Sequence, residues 1–190
     1  MIFFLALLIN ILIHEASHLL AAKAVKCKVE IFSVGFGKPL WKKIYKGTIY
    51  QVCPILFGGY CKLANEMKYS RSKYAFTNLR YRDKCLISIA GVLSNFILGN
   101  ITIALGIYFS NMKIYYFGII SIMLAITNII PFPALDGSYL FLVWLEKFYG
   151  KKKGYALMEK ICKIGFVILM ILNVLCVPLI VVLYLKGLIL

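Results

Sequence analysis

The sequence has few acidic residues and almost no histidine. Among 190 residues there are seven aspartates and glutamates and two histidines, against 22 lysines and arginines. The six cysteines, at positions 27, 53, 61, 85, 162 and 176, show no paired C-x-x-C spacing. This argues against a disulfide framework and against a cysteine-based zinc site. No basic residue precedes the first apolar run, as a signal peptide would require.

What the chain has in abundance is apolar sequence. Hydrophobic residues make up 62% of it, and the mean hydropathy is +0.87, whereas soluble domains are nearer half apolar. We therefore expect an all-α polytopic membrane protein with about four transmembrane spans, forming a single domain over residues 1–190. The expected spans lie at about 1–22, 86–109, 115–148 and 161–185, and prolines break the third at 131–136.

The segment between spans one and two has a different pattern. Residues 29–64 contain short β-type runs separated by glycine-rich turns, which predicts a small sheet or set of hairpins at the membrane surface. Residues 65–84 are polar, basic and rich in tyrosine, which predicts an interfacial helix or loop.

The positive charge is distributed unevenly between the spans. Residues 23–85 carry 14 of the 22 basic side chains, residues 110–114 one, residues 147–163 six and the C-terminus one. Under the positive-inside rule this alternation places the N-terminus outside and the two basic segments in the cytosol. The net charge of +15 then reflects contact with anionic lipid rather than with nucleic acid.

The two histidines lie inside the first apolar run, where residues 14–18 read His-Glu-Ala-Ser-His. Residues four apart on a helix share one face, so both imidazoles can bind one metal ion while Glu15 handles a water molecule. The simpler interpretation is the polar side of an amphipathic helix. Residues 1–13, however, carry a single polar side chain, Asn10. Ionisable groups in such a run mark a functional site.

A catalytic zinc ion takes three protein ligands and keeps one position for water. With no third histidine, the third ligand must be an acid, and outside the motif Asp136 is the acid that lies in apolar sequence. His14 and His18 lie about 12 and 6 Å from the inner end of span one, and Asp136 lies near the same end of span three. Glu146 and Glu159, both among lysines, remain alternatives, as in metalloproteases with a distal glutamate ligand.

Residues 128–137 carry a second motif, Asn-x-x-Pro-x-Pro-x-Leu-Asp-Gly. Together with residues 14–18, this motif resembles the signature of the site-2 proteases, which are intramembrane zinc metalloproteases. Shorter similarities lie between the two motifs, at residues 35–37, 57–60 and 90–95. The resemblance covers about residues 10–140 and suggests a minimal member without a PDZ or CBS domain.

The resemblance implies that His14, His18 and Asp136 bind Zn²⁺ and that Glu15 is the general base. The implied reaction is hydrolysis of peptide bonds in or near transmembrane segments of membrane proteins, as in regulated intramembrane proteolysis. A substrate helix must first unwind, because its carbonyls are hidden in backbone bonds.

An extended substrate segment could pair with an edge of the 29–64 sheet, and Asn95 and Asn128 are candidates for binding its backbone. The expected partners are a transmembrane protein substrate and the lipid bilayer, with an inhibitory membrane partner left open and no nucleic acid. The expected location is the cell membrane of a bacterium, with the active site near the cytosolic face.

Two functions of other classes are alternatives. A metal transporter would need further ligands along a path through the membrane, and the chain has no other histidine. A non-catalytic membrane scaffold would tolerate substitution of Glu15.

Overall fold

A computed structural model describes residues 2–66, 72–132 and 135–185. Its elements are, in chain order, α1 (Ile2–Ala24), β1 (Val29–Phe36), β2 (Trp41–Tyr45), β3 (Thr48–Val52), β4 (Ile55–Leu63), α2 (Tyr81–Tyr108), α3 (Met112–Ile129) and α4 (Gly137–Leu185). A short 3₁₀ turn, Phe76–Asn78, precedes α2.

Three of the helices in the described part of the chain are long and apolar enough to cross a bilayer: Phe4–Ala24, Tyr81–Tyr108 and Met112–Ile129. Each has the length of about 20 residues that the hydrocarbon core requires, and α2 exposes a column of large apolar side chains suited to lipid contact. The chain is therefore a multi-pass membrane protein with a small sheet. The expected fourth span at 161–185 lies within α4 and stays a prediction.

The third span is shorter than expected. Helix α3 ends at Ile129, and Ile130 adopts an extended conformation (φ −62°, ψ 132°), as a residue before proline prefers. At about 1.5 Å per residue, the 18 residues of α3 already cover about 27 Å. The predicted break is present, but the helical piece after it belongs to α4.

Helix α4 folds back on itself at Gly150. This glycine has φ 75° and ψ 162°, a conformation that other residues rarely adopt. A Cβ atom on Gly154 would lie 3.1 Å from the backbone nitrogen of Glu146, eight residues earlier, whereas eight residues of a straight helix span about 12 Å. Residues 137–149 and 151–185 therefore form a helical hairpin, whose turn lies beside the three lysines at 151–153 in the basic segment 147–163.

The predicted sheet between spans one and two is present. Its strand order is β2-β3-β1-β4, with β1 parallel to β3 and antiparallel to β4. The hairpin of β2 and β3 turns at Lys46 and Gly47, which both have positive φ. Strand β4 forms one edge of this sheet and runs along α1.

Helices α2 and α3 pack through glycine. A Cβ atom on Gly118 would lie 2.7 Å from the carbonyl oxygen of Gly99, so only glycine permits this approach. The hydroxyl of Ser121 then donates to the carbonyl of Asn95 at 2.8 Å, which fixes the rotation of α2 about its axis.

A buried ion pair joins α2 to the α4 hairpin. Lys84 Nζ lies 2.5 Å from Glu146 Oε1, and both side chains are fully buried. The ammonium lies over the rings of Phe76, Tyr81 and Tyr155, an arrangement in which aromatic faces stabilise a cation. Helix α2 begins at Tyr81 rather than near Leu86, so Lys84 is a helical core residue and not part of a surface segment.

Candidate metal centre

Helix α1 presents its two histidines to α2. His14 and His18 lie one turn apart on one face, and both are buried, at 6% and 8% exposure. Their ring centroids are 4.8 Å apart in an edge-on arrangement. The two histidines therefore lie on one face of α1, as their spacing in the motif predicted.

Asp136 completes a cluster with them, from the segment just before α4. Its Oδ2 atom lies 2.7 Å from His14 Nε2 and 3.2 Å from His18 Nε2, and the two Nε2 atoms are 3.2 Å apart. Within the described part of the chain, this is the one group of histidine, cysteine and acidic side chains able to hold a metal ion. A transporter would need further ligand groups, and the described residues supply none.

The donor set suits zinc. Two imidazoles and one carboxylate form a three-ligand set of the kind catalytic zinc sites use, with one position left for water. Tetrahedral bonds of about 2.0–2.1 Å place ligand atoms about 3.3 Å apart. Two of the observed separations are 3.2 Å, and the third, between His14 and Asp136, is shorter at 2.7 Å. An ion at the centre would need only small side-chain adjustments.

The outer nitrogens of both rings have hydrogen-bond partners. His18 Nδ1 lies 2.7 Å from the carbonyl oxygen of Ile87, so Nδ1 carries the proton and Nε2 presents a lone pair to the metal. His14 Nδ1 lies 3.3 Å from the Asn95 amide, whose Oδ1 atom is buried without a partner. Turning this amide over lets Oδ1 accept from Nδ1–H, which leaves His14 Nε2 free for the metal as well.

Gly91 of α2 makes room for the two rings. A Cβ atom at this position would lie 2.4 Å from His18 Nε2 and 2.6 Å from His14 Nε2. Contacts this short exclude any side chain larger than hydrogen. The absence of a side chain at Gly91 is therefore a requirement of the metal centre.

Glu15 lies beside the cluster at a cavity of about 300 Å³. The walls of this cavity include Glu15, His18, Asp136 and residues 59–63 of β4. The Glu15 side chain packs against Gly59, where a Cβ atom would lie 3.4 Å from Glu15 Cγ. A carboxylate, the metal-ligand cluster and the edge of a sheet thus face one cavity.

The two asparagines predicted to bind substrate lie in different surroundings. Asn95 is fully buried and contacts His14. This position suits Asn95 to orienting the imidazole ring rather than to binding a peptide. Asn128 is half-buried on α3 and donates to the carbonyl of Leu124 at 3.0 Å. Pro133, part of the second motif, lies outside the described residues.

The alternative acids are paired with lysines. Glu146 is bound to Lys84, and Glu159 lies 2.9 Å from Lys163 on the surface of α4. Neither belongs to the His14–His18–Asp136 cluster. The geometry therefore favours Asp136 over a distal glutamate as the third ligand.

Two side chains of the cavity were missed from the sequence. Glu66 and Tyr139 also line it and are hydrogen-bonded to each other. Burial raises the pKa of Glu66 from 4.5 to about 7. Glu66 follows β4 in a polar, basic segment, so no pattern distinguished it from a solvated surface acid.

Comparisons with known proteins identify the family. The model of peptidase family M50 matches residues 2–114 and 110–172. A regulator of sigma E protease from Haemophilus influenzae is 34% identical over 134 residues, covering 68% of this chain and 28% of that protein. The regulator of sigma-E protease RseP of Escherichia coli is 37% identical over 100 residues, covering 50% of this chain and 22% of that protein.

A solved structure shares the fold. The site-2 protease from Methanocaldococcus jannaschii matches with a TM-score of 0.58 at 20% identity, over 96% of this chain and 72% of that chain. By contrast, the alignments with the curated relatives span about a quarter of the length of those proteins.

The fold is that of a multi-pass membrane protein, and the site is a group of two histidines and an aspartate able to hold a metal ion. The chain belongs to peptidase family M50, the family of the site-2 proteases, and the resemblance seen in the sequence is confirmed. The expected zinc cofactor is that of this family, and the cluster of two histidines and an aspartate fits it.

Proposed function

We propose that this protein hydrolyses peptide bonds in or near the transmembrane segments of other membrane proteins. The observation that carries the proposal is the convergence of His14, His18 and Asp136 within 3.2 Å of one another, with Glu15 on the same cavity. Two imidazoles and a carboxylate hold the metal, and the carboxylate of Glu15 lies beside them to move a proton.

When bound, zinc lowers the pKa of water and polarises a substrate carbonyl. Glu15 accepts the proton of the attacking water through a carboxylate oxygen and returns it to the leaving amine nitrogen. Asn95 and the carbonyl of Ile87 hold the two imidazole rings in place from behind. The buried walls around His14 and His18 exclude bulk water, which strengthens these electrostatic interactions.

The substrate enters as an extended strand. Strand β4 is an edge of the sheet, and its residues 59–63 line the cavity beside Glu15. An unwound segment of a substrate helix pairs with this edge by backbone hydrogen bonds, which brings a carbonyl to the metal centre. Asn128 remains a proposed contact for the substrate backbone further along α3.

The active site opens towards the cytosol. The basic residues concentrated in 23–85 and 147–163 favour a cytosolic location for the sheet and for the turn of α4. The cavity lies between this sheet and the inner ends of α1 and α2, so water reaches it from that side. The bacterial origin of the two curated relatives supports the cell membrane of a bacterium as the location.

The test uses purified protein in bilayer nanodiscs and a reporter with one apolar span of 20 residues. One reporter carries an Asn-Gly pair in mid-span, and its matched control carries Leu-Leu, which keeps the helix intact. Wild-type protein should cleave the first reporter faster. The Glu15→Gln variant should retain zinc and lose cleavage by about a hundredfold to ten-thousandfold, because general acid–base catalysis contributes about 10²–10⁴-fold.

Substitution of an acid outside the cavity provides the control. Glu159→Gln, on the surface of α4, should cleave at the wild-type rate. Equal cleavage by Glu15→Gln and wild-type protein would contradict the assignment of Glu15. Absence of zinc from the wild-type protein, after growth with zinc and purification without chelator, would contradict the proposed function as a whole.

A further inference from the structure

Glu66 connects the end of the edge strand to the start of α4. The backbone N–H of Leu63, the last residue of β4, donates to Glu66 Oε2 at 3.3 Å. The hydroxyl of Tyr139 donates to Glu66 Oε1. One carboxylate therefore holds together two elements that are 73 residues apart in sequence.

Tyr139 lies one turn from the third metal ligand. Its backbone N–H donates to the carbonyl of Asp136 at 3.0 Å, and its ring packs edge-on against Phe76 at 5.4 Å. A bond that fixes the Tyr139 side chain thus also fixes the first turn of α4, on which the position of Asp136 depends.

Asp136 needs such support because it precedes the helix. It lies between the end of α3 at Ile129 and the start of α4 at Gly137. Its backbone is therefore not held by the regular hydrogen bonds of a helix interior. His14 and His18, by contrast, are fixed by the interior of a 23-residue helix. Asp136 is the ligand whose position depends most on its surroundings.

We propose that Glu66 is a positioning residue for the metal centre: through Tyr139 it holds Asp136 in place and ties this ligand to the edge strand β4. The proposal rests on the proposed function, in which His14, His18 and Asp136 bind zinc and β4 receives the substrate. It adds that a strand bound to β4 and the ligand Asp136 move as one unit.

The measurement is zinc affinity by competition with a chromogenic chelator, on the full chain in detergent at one pH. Glu66→Ala and Tyr139→Phe should each weaken zinc binding about tenfold, at the lower end of the range for residues that support a metal ligand. The zinc affinity of the double variant should be no lower than that of the single variant with the lower affinity, because both substitutions break the same connection. Glu66→Gln should recover most of the affinity, since its amide oxygen still accepts from Tyr139.

Two control variants remove similar groups elsewhere. Glu30→Gln removes the carboxylate that pairs with Lys62 of β4 at 3.0 Å, and Tyr50→Phe removes a hydroxyl that accepts from Lys23. Neither pair involves α4, so both variants should bind zinc as the wild type does. Loss of zinc affinity in these controls equal to that in Glu66→Ala would overturn the proposal.

A purely structural role gives a different result. If Glu66→Ala lowers the unfolding temperature of the zinc-free protein but leaves the zinc affinity unchanged, Glu66 does not position Asp136 and the proposal is wrong. If Glu66→Ala does not fold, the Tyr139→Phe result alone decides, by the same criterion. Failure of the wild-type protein to bind zinc contradicts the proposed function instead, so the two failures are distinguishable.

Discussion

Replacing Gly91 by alanine should remove zinc from the protein while leaving α2 intact. The added methyl carbon would lie 2.4 Å from His18 Nε2 and 2.6 Å from His14 Nε2. Carbon and nitrogen in ordinary contact are about 3.5 Å apart, so the rings must retreat by about 1 Å. Metal–ligand distances tolerate only about 0.2 Å. We therefore expect zinc affinity to fall at least about a hundredfold, which is about 2.7 kcal/mol.

The same substitution should not weaken the helix itself. Alanine is the better helix former by about 0.8–1.0 kcal/mol at an interior position, which offsets part of the local strain. The assay combines zinc content by mass spectrometry, chelator competition and thermal unfolding of the zinc-free protein. Gly47→Ala is the control, because an added Cβ there meets no atom within 4 Å. It should lose a little stability through its positive φ and keep its zinc.

The opposite result would be informative. Full zinc occupancy in Gly91→Ala, with unchanged affinity, would show that the metal does not bind at the two Nε2 atoms next to α2. Zinc loss in Gly47→Ala as well would show that any disturbance of the fold releases the metal. Either outcome would refute the argument from close contact.

Three further predictions concern the third ligand, pH and topology. Asp136→Ala should lose zinc. Glu146→Gln should keep zinc but unfold at a lower temperature, because this substitution leaves the buried Lys84 unpaired. Loss of zinc from Glu146→Gln but not from Asp136→Ala, measured by metal analysis, would favour a distal-glutamate site. Burial raises the pKa of Glu66 from 4.5 to about 7, so between these pH values the folded state holds a proton that the unfolded state has lost. The stability of the wild-type protein should therefore fall as the pH rises from about 4.5 to about 7. Thermal unfolding of Glu66→Gln should not show this fall, and identical pH profiles for the two proteins would contradict the prediction. Single cysteines introduced in a cysteine-free variant should react with an impermeant reagent on intact cells at Asn111 and not at Lys152; labelling of both from the same side would contradict the proposed topology.

The sequence was sufficient to predict that His14, His18 and Asp136 come together, and their role as metal ligands stays a prediction. Helical periodicity placed His14 and His18 on one face, and the scarcity of acids in apolar sequence singled out Asp136. Both inferences work because a charged group inside a membrane is costly, so each one present needs a reason. The structure brings these three side chains within 3.2 Å of one another, which is the arrangement the pattern predicted.

The supporting groups could not be predicted in this way. The carbonyl of Ile87 is a backbone atom and has no sequence signal. Glu66 and Lys84 lie in a basic segment, where composition predicts solvent exposure, yet both take part in contacts between distant elements. Only tertiary packing determines which charges of such a segment turn inward.

The bounds of the helices show the same limit. Prolines predicted the end of α3, because proline acts on its own neighbours. The spans expected at 115–148 and 161–185 imply a change of direction in the basic segment between them, but the sharp turn at Gly150 was not predicted, since a glycine among lysines fits an interfacial loop equally well. What distinguishes a sharp turn from a loop is whether Glu146 pairs with Lys84 of α2, and this depends on residues 62 positions apart.

The position of Glu66 also bears on the charge of the cavity. A zinc ion with Asp136 and Glu15 ionised is neutral as a group, which makes burial feasible. Glu66 adds a third carboxyl to the same cavity, and a third full negative charge would disturb this balance. Its pKa of about 7 leaves the protonated form accessible near neutral pH. Glu66 can therefore connect β4 to α4 by hydrogen bonds without imposing a full additional charge on the metal centre.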